Sequence, residues 1–154
     1  MRAPGASYPG AVNDETRSPL DPSQDEELIA LATSLLDAAR QGDAGTLLPV
    51  LERGVPVNLS DSAGNSLLML AAYHGHAPLV RELAARGADV DRINDRGQSP
   101  LAGAAFKGFA DVAAALVAAG ADPDLGTPSG IETARFFERS EIIALIQAAQ
   151  GERG

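Results

Sequence analysis

The sequence predicts an all-α solenoid of about four stacked helix pairs, and three observations carry that reading. Glycines recur at a fixed 33-residue step: Gly42, Gly75 and Gly108 in one register, and Gly54, Gly87 and Gly120 in a second. Gly64, Gly97 and Gly130 make a third register, and Asn58, Asp91 and Asp124 follow the same step. Between these marks lie short apolar runs at helical spacing, each too small to bury its own face. Aromatic residues make up only 4% of the chain, so alanine and leucine must build the core through closely packed helices.

Each element follows in order. Residues 1–22 hold Pro4, Pro9, Pro19 and Pro22 without apolar periodicity and read as a disordered leader. The repeat domain is expected over 23–150. It opens at Ser23, which with Glu26 has the spacing of a capping box. A helix to about Arg40 places Leu28, Leu31, Leu35, Ala38 and Ala39 on one face that needs a partner. The units are expected at about 29–61, 62–94, 95–127 and 128–149.

The second unit shows the plan. Gly64 turns the chain, Ser66 caps a short helix through Leu67, Leu68, Ala71 and Ala72, and Gly75 ends it. Pro78 falls in the first turn of a second helix, where no intrahelical hydrogen bond is lost. That helix runs through Leu79, Val80 and Leu83 to Gly87, which suits a left-handed terminus. The third unit repeats this with Ser99, Pro100, Leu101, Gly108, Val112, Leu116 and Gly120.

Charge and composition exclude several functions. A net charge of −9 repels a nucleic-acid backbone rather than releasing its counterions. The absence of cysteine removes disulfides, thiol nucleophiles and cysteine-ligated zinc. No apolar run approaches the ~20 residues of a membrane span, and the amino terminus lacks a secretion signal's apolar centre. A cytoplasmic, monomeric protein without membrane or nucleic-acid partners is expected. Only His74 and His76 supply imidazoles, and no second ligand pair accompanies them, so no metal site is expected. Neither a nucleophile elbow nor a phosphate-binding glycine loop is present, and no catalytic residue or cofactor is assigned.

The segments GNSLLMLAAYHGHAPLVRELAARGADVD and GQSPLAGAAFKGFADVAAALVAAGADPD resemble ankyrin repeats, with the resemblance reaching over roughly residues 29–149. It implies an amino-terminal cap at 29–61, two full repeats, and a closing repeat from Gly130. In that last repeat the segment joining the helices is expected to be about three residues shorter, so that Ile142, Ile143 and Ile146 replace Leu79, Val80 and Leu83. The family's repeat histidine is replaced by Met69 and Ala102, so its hydrogen-bond network is expected to be missing.

The resemblance also implies a function: binding a partner protein through a concave surface of finger tips and inner helices, as a standalone adaptor or inhibitor. Ser62, Asn65, Tyr73 and His74 are the candidate contacts in one unit. Asp95, Arg96, Gln98, Phe106 and Lys107 are those of the next, and Arg139 follows. Tyr73 and Phe106 stand one period apart and should share an edge, with His74, Arg96, Lys107 and Arg139 as a basic cluster around them. Two other readings stay open: an enzyme or small-ligand protein using a groove near His74 and His76, and a structural subunit of a larger assembly.

Overall fold

A computed structural model of the chain describes residues 22–153, with side-chain surroundings described for residues 25–151. The expected leader lies outside the described residues except for Pro22, which opens the first helix. Eight helices and no strand occur among the described residues: α1 (Pro22–Gln41), α2 (Ala44–Glu52), α3 (Leu67–Tyr73), α4 (Ala77–Ala85), α5 (Pro100–Lys107), α6 (Ala110–Ala118), α7 (Gly130–Phe136) and α8 (Ser140–Arg153). Ser23, expected as a cap, falls inside α1.

The chain divides after Thr33 into two units, the second of them Ser34–Gly154. Of the first unit, the early turns of α1 are described, and they differ from expectation. Leu28 and Leu31 are 54% and 45% exposed instead of buried, and Ile29 is 65% exposed.

The second unit is a stack of helix pairs. Within it α3 packs on α4, α5 on α6 and α7 on α8, while α3, α5 and α7 form an inner row and α4, α6 and α8 an outer one. One apolar core runs through both rows. Leu67, Leu68, Leu79, Leu83, Leu101, Leu116, Ile142 and Ile146 are all at most 2% exposed, and buried alanines fill the space between helices. Small side chains let the helix backbones approach closely, which explains how a chain with so few rings reaches native packing.

Each inner helix starts by the same local chemistry. Ser66, Ser99 and Ser129 have extended backbones, and each hydroxyl accepts the amide three residues on, from Met69, Ala102 and Glu132. In the last case Glu132 returns the bond, its carboxylate accepting the Ser129 amide at 2.8 Å and completing a capping box.

This cap relocates the shortening of the closing unit. Ser66 and Ser99 keep the 33-residue step, whereas Ser129 comes three residues early. The missing residues therefore lie in the finger ahead of α7 and not between the helices. Ahead of α3 Ser60 bridges to Ser66 across a full turn, while ahead of α7 Gly126 bridges directly to Ser129. Gly130 accordingly leaves the register of Gly64 and Gly97. Those two have φ of 80° and 77°, but Gly130 is the first residue of α7, buried so closely that a Cβ would come within 2.8 Å of Leu101 Cγ. The expected places of Ile142 and Ile146 hold, since both are 1% exposed in the core. Phe136 and Phe137, in contrast, are 79% and 39% exposed.

Candidate functional site

The inner helices end in one pattern. Tyr73, Phe106 and Phe136 stand in the last turns of α3, α5 and α7, and two residues later the chain takes a left-handed conformation at Gly75, Gly108 and Glu138, with φ of 84°, 80° and 56°. The next residue, His76, Phe109 or Arg139, folds back onto the preceding unit. Its side chain fills the space beside Gly42, Gly75 or Gly108 respectively. His76 Nε2 donates to the Arg40 carbonyl at 2.7 Å. Arg139 donates from Nε to Ala105 O at 3.0 Å and from Nη2 to Phe106 O at 2.9 Å. Arg40 O and Phe106 O are carbonyls that a helix end leaves unpaired, while Ala105 O also accepts the Gly108 amide at 3.2 Å; the guanidinium also meets the negative end of the helix dipole. His76 is thus a link between units, as is Arg139, which was expected at the partner-contact surface.

This geometry sets the aromatic side chains in a row. Tyr73 and Phe106 stack with centroids 6.4 Å apart and planes 8° from parallel. Phe137 meets Phe106 edge-on at 5.3 Å, and Phe136 meets Phe137 edge-on at 4.9 Å. The row continues at its other end with His74, edge-on to Tyr73 at 5.7 Å. Cations lie against it: Lys107 Nζ is 5.1 Å from the Tyr73 centroid, and Arg139 Cζ is 5.6 Å from that of Phe137. Phe106 is 46% exposed, so the row borders solvent even though its rings touch one another. Gly103 lies beneath it, where an added Cβ would meet Tyr73 Cδ1 at 3.3 Å and Met69 Cε at 3.5 Å.

The finger tips are tied by side-chain hydrogen bonds. The Asp61 carboxylate accepts the amides of Ala63 and Asn65 and the Asn65 side chain. Asn94, 8% exposed, repeats this with the amides of Arg96 and Gln98. It also donates to Asn65 Oδ1 at 2.8 Å and to Gln98 Oε1 at 3.0 Å, linking one finger to the next. Backbone bonds from Asp95 to Ala63 and from Thr127 to Gly97 run parallel to these links. Burial would raise the Asp61 pKa, but the Asn65 and Ala63 hydrogen bonds and the Arg40 charge outweigh it and hold the carboxyl below its ordinary value.

The expected contacts therefore separate into two groups. Asn65, Gln98 and Arg139 make bonds within the array, while Ser62, His74, Asp95, Arg96, Phe106 and Lys107 are exposed and Tyr73 is half-buried. Of the expected basic residues, Arg96 and Lys107 are exposed and form no ion pair among the described residues. His74 is pushed below its ordinary pKa by burial first and by the charges of His76, Lys107 and Arg40, which favours the neutral ring.

Two grooves open along this edge. A smaller one, about 190 Å³, lies between fingers and α3 against Asn65, Met69, Tyr73, Asn94 and Arg96. The larger, about 630 Å³, lies between α5 and α7 and is bounded by Phe106, Phe136, Phe137, Pro128 and Glu132 with Ala102 among its lining. Neither is lined by His74 or His76. The larger groove contains residues that the sequence reading missed. Counting forward from the Ser129 cap would have aligned Phe136 with Phe106 and Tyr73, and Glu132 with Ala102 and Met69. The glycine step concealed this, because Gly130 falls by coincidence in the expected register.

Among the described residues no three His, Asp or Glu side chains cluster as a metal site, and no helix is long and apolar enough to cross a membrane.

Comparison with known proteins agrees with this geometry. A Pseudomonas aeruginosa protein whose name describes ankyrin repeats is 44% identical over 52 residues, 34% of this chain. The match spans 30% of that relative's length. Residues 35–127 match the family described as ankyrin repeats (3 copies), a span that reaches from the buried end of α1 through α6 to the shortened finger. On that match and on the repeated cap, helix pair and left-handed turn, the chain belongs to the ankyrin-repeat family.

Proposed function

We propose that this chain docks a partner protein through the exposed edge formed by the ends of α3, α5 and α7 and by the finger tips, acting as an adaptor or inhibitor. Ankyrin repeats are generally protein–protein interaction modules. The observation that carries the reading is the continuous row Tyr73, Phe106, Phe137 and Phe136, with rings 4.9 to 6.4 Å apart along one face. Rings presented on a rigid scaffold lose little conformational entropy on binding and are the usual anchors of interfaces. Arg96 and Lys107, exposed beside the row, steer an approaching partner without providing most of the affinity.

The test is capture of a stoichiometric partner from the source cell, followed by calorimetry with the pure partner. The double substitution Tyr73→Ala and Phe106→Ala is expected to cost the complex at least about 2 kcal/mol. Binding equal to the parent's would place the contact surface elsewhere. Unfolding of the double variant would make the rings part of the core. The partner's own activity, measured free and bound, then separates an inhibitor from a tether.

A further inference from the structure

The groove between α5 and α7 differs from its neighbour for two reasons visible in the chain. The finger ahead of α7 lacks three residues, so Gly126 bridges directly to Ser129 and no full tip overhangs the space. Ala102 also stands where Met69 fills the preceding groove. The result is a volume of about 630 Å³ against about 190 Å³. A space of the larger size is in the range that accepts a discrete ligand group.

Its walls have a specific chemistry. Phe106, Phe136 and Phe137 supply three rings, and Glu132 supplies a carboxylate. Glu132 occupies the position of Met69 and Ala102, so the change introduces charge where the other units are apolar. One of its oxygens accepts the Ser129 amide at 2.8 Å, and among the described residues no cation pairs with it. The rings of this row already take cations on their faces, as Lys107 over Tyr73 and Arg139 over Phe137 show. A cation entering the groove meets both attractive partners together, ring faces with their negative quadrupoles and a carboxylate. An anion would meet Glu132 unfavourably, and a purely apolar group would desolvate that carboxylate without replacing its water.

We propose that this groove is a subsite for an arginine or lysine side chain of the docked partner, its apolar stem against Phe106 and Phe136 and its charged end at Glu132. The proposal rests on the reading of this edge as a protein-docking surface and adds the chemistry that one part of it selects.

The test needs no partner. Acetylated, amidated tripeptides carrying arginine, lysine or the neutral norleucine between two alanines are titrated into the intact chain while its backbone amide signals are followed by NMR. Arginine and lysine peptides are expected to give saturable shifts at Phe106, Glu132 and Phe137, with norleucine weaker by about tenfold. Glu132→Gln preserves the capping box, since glutamine serves at that position, and is expected to bring the cationic peptides down to the norleucine level. Phe136→Ala, at a side chain 79% exposed, is expected to weaken them without altering the melting temperature.

Equal binding of norleucine and arginine, an unchanged Glu132→Gln titration, or no saturable shift below about 50 mM overturns the subsite. That failure is distinct from failure of the docking edge. A partner lost on Tyr73→Ala with Phe106→Ala but indifferent to Glu132→Gln keeps the edge and removes the cation. A partner indifferent to the double substitution removes the edge.

Discussion

Arg139 reaches back to Ala105, placing Nε 3.0 Å from the carbonyl at the end of the preceding inner helix. One unit earlier the same position is Phe109, which fills the space by Gly75, and before that His76, which donates to Arg40 O. The array thus links successive units at one point with three different chemistries: an imidazole, a phenyl ring and a guanidinium.

Removing the guanidinium link should loosen the closing unit. Arg139→Ala is expected to lower unfolding free energy by about 1–2 kcal/mol, toward the low end for hydrogen bonds from a charged group because one of the two is exposed and the other half-buried. Arg139→Lys should recover only part of this, because an ammonium cannot fork between the Ala105 and Phe106 carbonyls. Urea unfolding of both variants checks the order parent, lysine, alanine. An alanine variant as stable as the parent would show that the link adds nothing to stability.

Two backbone positions in the closing unit should respond in opposite directions. Glu138 has φ of 56°, where Gly75 and Gly108 stand in the earlier units, so Glu138→Gly should stabilise by about 0.5–1 kcal/mol. Gly130→Ala would place a Cβ within 2.8 Å of Leu101 Cγ. It should destabilise by about 1–3 kcal/mol through overpacking. Thermal and urea midpoints of the two variants should lie on either side of the parent's.

Truncation after Leu125 removes α7 from α5 and α8 from α6. Leu101 and Leu116, at most 1% exposed in the whole chain, belong to the helices left uncovered. The shortened chain is expected to aggregate or to unfold without a cooperative transition, since a terminal repeat must shield the one before it. Light scattering and circular dichroism follow both outcomes. A soluble, cooperatively folding product would make the third unit self-sufficient.

Acidification should reduce stability in two steps. His74 has a folded-state pKa below its ordinary 6.5, so the unfolded chain binds the proton more readily. Its contribution is present above that value and is lost as pH falls through 6.5 toward the folded pKa, a loss that His74→Gln should abolish. Asp61 and Asp43 are both held below the ordinary 3.8, Asp43 by the Thr46 hydroxyl and then its amide. Their contribution is present above 3.8 and is lost as pH falls below it. Urea midpoints measured from neutral pH downward should show a shallow first decline and a second near the carboxylate range. A flat profile through 6.5 in the parent would remove His74 from this account.

Much of the repeat plan was readable in the residues because it is built from local chemistry. Serine caps, left-handed glycines and short apolar runs act within a few positions of one another, so Ser66, Gly75, Ser99 and Gly108 disclosed helix starts and ends directly. The alignment of Tyr73 with Phe106 followed from the same step. The closing unit was less legible because Gly130 and Ser129 offer competing registers, and only packing of α7 on Leu101 decides between them.

Tertiary structure also decided which polar side chains remain free. Nothing local distinguishes Arg139, bonded to carbonyls 33 and 34 residues away, from the exposed Arg96. Likewise only the shortened finger and the small Ala102 open the groove that Glu132 and Phe136 share. Helix and turn formation were determined by interactions between near neighbours in the chain, whereas burial, links between units and the shape of the docking edge depend on contacts a whole repeat apart.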